Sequence, residues 1–126
     1  VINARVDTWM IGGPARDGER LDEALRRARA YLAAGADCVY PIALAHPDVI
    51  GRLCAALDAP VNIGARAGLP DVAALGRLGV ARVSTATRLA TVALSAARDA
   101  ARGLLSSGRL DGLDAPFSYA DMQRLF

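Results

Sequence analysis

Three polar side chains recur at every second position of the opening segment VINARVD: Asn3, Arg5 and Asp7. Side chains of an extended strand alternate between two faces, so this amide, guanidinium and carboxylate share one face while Ile2, Ala4 and Val6 share the other. A guanidinium forms two parallel hydrogen bonds with an oxyanion and stays charged at any working pH. The same trio also admits a buried ion pair without chemistry, in which desolvation offsets the Coulomb gain. A second group lies in APVNIGA, where Asn62 and Gly64 share one parity against Val61 and Ile63, and ARVSTAT adds Ser84 and Thr85.

The remaining reactive residue types point to less. Cys38 sits in an apolar run and Cys54 on the apolar side of a helical pattern, so each reads as a small buried hydrophobe rather than a nucleophile. His46 is the only histidine, and neither HxxxH nor CxxC spacing occurs, which argues against a transition-metal site built from this chain alone. The stretch from Gly64 to Gly68 reads as an ordinary βα loop that needs its glycines, with an anion-receiving turn as the alternative. The stretch Thr8–Arg20 reads as a loop longer than usual for a βα connection, either a lid or an idle insertion.

The elements that must position these residues alternate strictly. VINARVD leads through the long loop to helix LDEALRRARAYLAA, ended by Gly35; ADCVYPI leads to PDVIGRLCAAL, opened by Pro47. APVNIGA leads to PDVAALGRLG, opened by Pro70, and ARVSTAT to LATVALSAARDAARGLLSSG. Short apolar strands alternating with amphipathic helices imply parallel pairing through helical crossovers, hence an α/β class. A tail over residues 109–126 carries Phe117, Tyr119, Met122, Leu125 and Phe126, which suit docking on the body or on a partner.

An open sheet covered by helices on both faces needs strands that are apolar throughout, and VINARVD violates that. In a closed (β/α)8 barrel one side of each strand meets the helices and the other points inward toward the active-site mouth. Four βα units amount to half of such a barrel, so residues 1–126 are expected to be half of one plus the tail, the other half lying upstream in a longer sequence or being supplied by a second copy.

Composition sets the bounds. Of the 126 residues 53% are hydrophobic and 22% charged, a soluble globular balance. The net charge is only +2, and Arg26, Arg27 and Arg29 lie among acids on the wet side of a helix, which excludes a nucleic-acid stripe. No apolar run approaches the ~20 residues of a membrane span, and a cytoplasmic protein is expected.

Taken in order, VINARVD, LDEALRRARAYLAAGADCVYP, PVNIGA, LGVARVS and PFSYADMQRLF resemble the C-terminal half of the isocitrate lyase/phosphoenolpyruvate mutase superfamily, nearest its small mutase-like and 2-methylisocitrate-lyase-like members. The resemblance implies a Mg²⁺-dependent barrel enzyme that makes or breaks a C–C or P–C bond beside a 2-oxo acid, through an enolate held on the metal. Arg5 matches the family arginine that contacts the substrate's acidic group, gripping a carboxylate or phosphonate; Asp7 matches an acidic position of the same motif, expected to orient Arg5 or to bond nearby waters, and Asn3 is a weaker candidate. The family's metal-binding carboxylates and catalytic loop belong to the half absent here, so the Mg²⁺ ligands are expected outside this segment and the piece alone is expected to be inactive. Ile42 stands where the lyases carry a Glu, and their substrate-binding Asn falls at Gly64 with Asn62 two residues earlier. Both departures remove polar contacts for a tricarboxylate and leave lyase, phosphonomutase, hydrolase and decarboxylase chemistry open. Family members exchange C-terminal helices between subunits. The face Leu89, Val92, Ala93, Ala96, Ala100 and Leu104 accordingly suggests a homo-oligomer, dimer or tetramer. The expected partners are thus a small 2-oxo acid or phosphonate, the missing N-terminal half-barrel and further copies, with no nucleic acid and no membrane. Two other readings remain: a self-associating half-barrel without catalysis, and a flavodoxin-like domain binding a small anion near Arg5 or Arg66.

Overall fold

Alternation with a period of two places Ala4, Val6, Val39, Pro41, Val61, Ile63 and Val83 on one side of their strands. The computed structural model, which describes residues 1–10 and 17–126, bears this out. Strands β1 (Asn3–Val6), β2 (Cys38–Pro41), β3 (Asn62–Gly64) and β4 (Arg82–Ser84) alternate with helices α1 (Asp17–Ala33), α2 (Pro47–Ala55), α3 (Val72–Arg77) and α4 (Arg88–Ser107). A 3-10 turn (Asp111–Leu113) and a short helix α5 (Tyr119–Gln123) complete the described chain. β1 pairs with β2 and β3 with β4, both parallel. A parallel bridge between Val39 and Val61, in which the Val39 N–H donates to the Pro60 carbonyl at 3.0 Å, joins β2 to β3.

The strands therefore lie side by side in chain order. A flavodoxin-like sheet reverses its order at a switch point, so this succession argues against that alternative. Val6, Val39, Val61 and Ile63 form one buried cluster with Leu21, Ala24 and Ala28 of α1, Val49, Ile50 and Leu53 of α2, and Leu75 of α3. The first three helices thus cover the apolar face of the sheet. Ile2 has the same parity but lies ahead of β1 and stays exposed; its N–H donates to Asp37 at 2.6 Å.

Helix ends follow local chemistry. α1 starts at Asp17 rather than at Leu21, because the apolar period marks only where a helix begins to bury a face. Residues 17–20, expected in the long loop, are thereby helical, and residues 11–16 of that loop lie outside the described residues. α3 starts at Val72 rather than Pro70: Asp71 takes the N-cap position and accepts from the Ala74 N–H at 2.7 Å. Gly79 follows α3 at φ +93°, where a Cβ would stand 2.9 Å from that of Cys54, so glycine is required for both conformation and space.

The chain divides into two compact units, Val1–Ala86 and Thr87–Phe126. In the second, α4 carries no buried residue and ends at Gly108 in the left-handed region, whose N–H donates to Leu104 O at 3.0 Å. Gly112 of the 3-10 turn packs on Ala100 of α4, and α5 opens with a capping box between Ser118 and Asp121. Among the described residues no helix is long and apolar enough to cross a membrane.

Candidate functional site

Parallel register partners project to the same side of a sheet. Asn3 pairs with Cys38, Arg5 with Tyr40, Asn62 with Arg82, and Gly64 with Ser84. The Val39–Val61 bridge sets Tyr40 beside Asn62. The face opposite the core consequently carries polar side chains from all four strands, with the buried Cys38 among them, and it holds the candidates Asn3, Arg5, Asn62 and Gly64, with Asp7 following β1 on the same parity.

Arg5 and Asp7 form a forked pair, with Nε 2.8 Å from Oδ1 and Nη2 donating to Oδ2 at 3.0 Å. The Arg5 side chain is 52% exposed and that of Asp7 30%, so the pair contributes little to stability. Its effect is on geometry: Asp7 holds the guanidinium at the C-terminal end of β1 while leaving several of its five N–H donors for another oxyanion. The Asp7 Oδ1 atom is buried, and the Nε–H is not directed at it closely enough to count as a hydrogen bond.

Asn62 is buried to 1% exposure; its Nδ2 donates to Ser84 Oγ at 3.1 Å, and its Oδ1 has no hydrogen-bond partner among the described residues. The buried Asn3 Oδ1 and Thr8 Oγ1 share that condition. A buried acceptor without a donor costs about 1–3 kcal/mol, so an acceptor group on this face is a place where a water or a ligand donor is accommodated. Gly64 carries no side chain, and its space is taken: a Cβ there would meet the Tyr40 hydroxyl at 2.7 Å.

The loops at the C-terminal ends of the strands are strained and tied together. Ala43 after β2 and Ala86 after β4 adopt φ of 67° and 48°, a region alanine enters at a cost of about 1–2 kcal/mol. Arg66 Nη1 donates to the Ala43 carbonyl at 2.9 Å, so this guanidinium fastens the loop after β3 to that after β2. That supports the ordinary-loop reading of residues 64–68.

The two cysteines are buried or partly so, and burial pushes both thiols up, leaving them protonated and poorly nucleophilic at neutral pH. His46 occupies the N-cap of α2 without a side-chain capping bond. Among the described residues no three of His, Cys, Asp and Glu come together to hold a metal ion. The cluster's carboxylate, Asp7, is engaged by Arg5, so these residues by themselves do not fit a Mg²⁺ site.

Tyr40 is the residue of this face that reading the sequence did not single out. Its parity within ADCVYPI, opposite to that of Val39 and Pro41, was the available signal, but only the pairing with Arg5 places it on the polar face.

A family model described as phosphoenolpyruvate phosphomutase matches residues 1–105. The Mycobacterium tuberculosis protein Rv1998c, described as uncharacterized, is 39% identical over 124 residues, covering 97% of this chain and 44% of the relative. A candidate lyase/mutase from Burkholderia cenocepacia J2315 superposes with a TM-score of 0.85 at 34% identity, over 98% of this chain and 44% of that one. 2,3-Dimethylmalate lyase, a phosphoenolpyruvate mutase/isocitrate lyase superfamily member, shares the fold at a TM-score of 0.75 and 22% identity, over 99% and 43% of the two chains. The chain thus spans under half the length of the relatives it matches.

Proposed function

This chain belongs to the phosphoenolpyruvate phosphomutase family, within the phosphoenolpyruvate mutase/isocitrate lyase superfamily, and from that membership we propose that its complete gene product is a lyase or mutase. Its substrate is a small 2-oxo acid, an adduct of one, or a phosphonate. The observation that carries the reading is the forked Arg5–Asp7 pair on the polar face of the sheet.

In this reading the four strands are half of a (β/α)8 barrel, and the polar face lines its interior. The outer strands β1 and β4 each have one paired neighbour among the described residues. A second set of strands closing on them would remove the open edges. Arg5 binds the acidic group of the substrate, Asp7 positions Arg5, and Asn62, held by Ser84, offers its carbonyl oxygen to a ligand donor or water. Asn3 contributes at the base of the same face. Gly64 leaves room for Tyr40.

The Mg²⁺ that the resemblance implies finds no ligand set in these residues, and its site belongs to the remainder of the gene product. The isolated chain is inactive for the same reason. Leu89 and Val92 on α4 are exposed, which supports assembly as a homo-oligomer, and the protein works in the cytoplasm.

The test is turnover by the complete gene product on a panel of 2-oxo acids and phosphonates, followed by proton and phosphorus NMR. Cleavage or rearrangement by wild type, abolished in Arg5→Ala, is expected. Undiminished turnover by Arg5→Ala would remove Arg5 from the site.

A further inference from the structure

Tyr40 projects from the strand beside Arg5, on the same face, and is its register partner. Its hydroxyl leans away from Arg5 and rests over β3, at the spot a side chain on residue 64 would fill, 2.7 Å from that Cβ position. Parallel strands lie about 4.8 Å apart, so the hydroxyl and the backbone that carries Arg5 are separated by roughly two strand spacings, about 10 Å, across the sheet, and by two residues along it. A long guanidinium side chain working from one side and a phenol from the other leave between them the span of a small acid. The residue is half-buried rather than enclosed. Glycine at 64 is what permits this, since any larger residue would displace the phenol.

We propose that Tyr40 is a specificity-determining residue that hydrogen-bonds the second oxygen-bearing group of the ligand whose first acidic group lies on Arg5. The inference rests on the reading of Arg5 as the acid-binding residue. A phenol both donates and accepts, and a site built to bond a ligand oxygen discriminates strongly against an analogue lacking it, because its own polar group is left unpaired. Tyr40 selects acids with polar groups at both ends over those with one polar and one apolar end.

The experiment is calorimetric titration of the complete gene product with succinate and with butyrate, which match in carbon number but differ in the second carboxylate. Tyr40→Phe removes only the hydroxyl and is expected to weaken succinate about tenfold while leaving butyrate unchanged and the melting temperature within about 2 °C. Gly64→Ala, which pushes the hydroxyl off its place, should reproduce the loss for succinate. Equal effects of Tyr40→Phe on both acids, or none on either, overturn the inference. Arg5→Ala should weaken both acids; if it weakens neither, the underlying reading of Arg5 fails, whatever Tyr40 does. Failure of wild type to bind succinate at millimolar concentration overturns both.

Discussion

Arg5 and Asp7, two positions apart on one face, meet through a fork in which both guanidinium contacts, at 2.8 and 3.0 Å, fall on the same carboxylate. The spacing is what a strand provides for neighbours on one side, and the pairing fixes the plane of the guanidinium before any ligand arrives. An ammonium is a point charge without that plane. Arg5→Lys is therefore expected to weaken binding of small acids by the complete gene product about tenfold or more. Because the pair is half-exposed, the melting temperature should move by no more than about 4 °C. Titration calorimetry and thermal melting read the two effects, and equal acid affinity in the lysine variant would mean that the fork is decorative.

A different arginine cluster is structural. On α1, Glu23 accepts from Arg26 Nε at 2.7 Å and Nη2 at 2.8 Å and from Arg27 Nε at 2.6 Å. The hydrogen bond from Arg26, then that from Arg27, hold its carboxyl at about 2, below the ordinary 4.5. A carboxyl depressed in the folded state adds stability that is fully present above its unfolded value and is lost as pH falls through the folded one. Wild type should accordingly exceed Glu23→Gln in stability at pH 7, with the gap closing as pH falls from about 4.5 toward 2. Urea melts across that range check the sign, and added salt should shrink the gap at neutral pH.

Features set by neighbours in sequence were legible before the structure; features set by pairing were not. The parity that separates Asn3 and Arg5 from Ala4 and Val6 is local, and it places each of them on the face read from the sequence. Gly35 and Gly108 both lie at positive φ where helices end. Asp71 displaced the expected start at Pro70 because its carboxylate competes for the Ala74 N–H, a local signal outweighed by the more familiar proline. What no local pattern carries is register: that Arg5 faces Tyr40, that Tyr40 reaches across to Gly64, and that Asn62 finds Ser84 depend on strands 20 to 35 residues apart. Residues 11–16, the middle of the loop read as either a lid or an idle insertion, lie outside the described residues.

Gly79 tests the close approach of α2 and the turn after α3. With φ at +93° and the Cβ of Cys54 2.9 Å from where its own would stand, Gly79→Ala meets both backbone strain and overlap, and should cost about 2 kcal/mol or more. Cys54→Ala should give no rescue, because the overlap is with Cβ and not with sulfur. Cys54→Gly should relieve only the steric part. Chemical denaturation of the single and double variants separates the two contributions, and full rescue by Cys54→Ala would refute the assignment.

Asn62 allows stability and the proposed binding role to be tested together. Its carbonyl oxygen is buried and accepts nothing among the described residues, while its amide nitrogen is spent on Ser84. Replacing an incompletely paired buried polar group with an apolar one of similar shape is near neutral or stabilising, whereas introducing a charge there is costly. Asn62→Leu should therefore leave the unfolding free energy within about 1 kcal/mol of wild type, or raise it, and weaken acid binding by the complete gene product. Asn62→Asp should lose roughly 3 kcal/mol or more at pH 7 and recover part of that at pH 4, where the new carboxyl takes up a proton. A leucine variant that is both strongly destabilised and fully competent in binding would show that the amide is a packing element and that its unpaired oxygen has no part in the site.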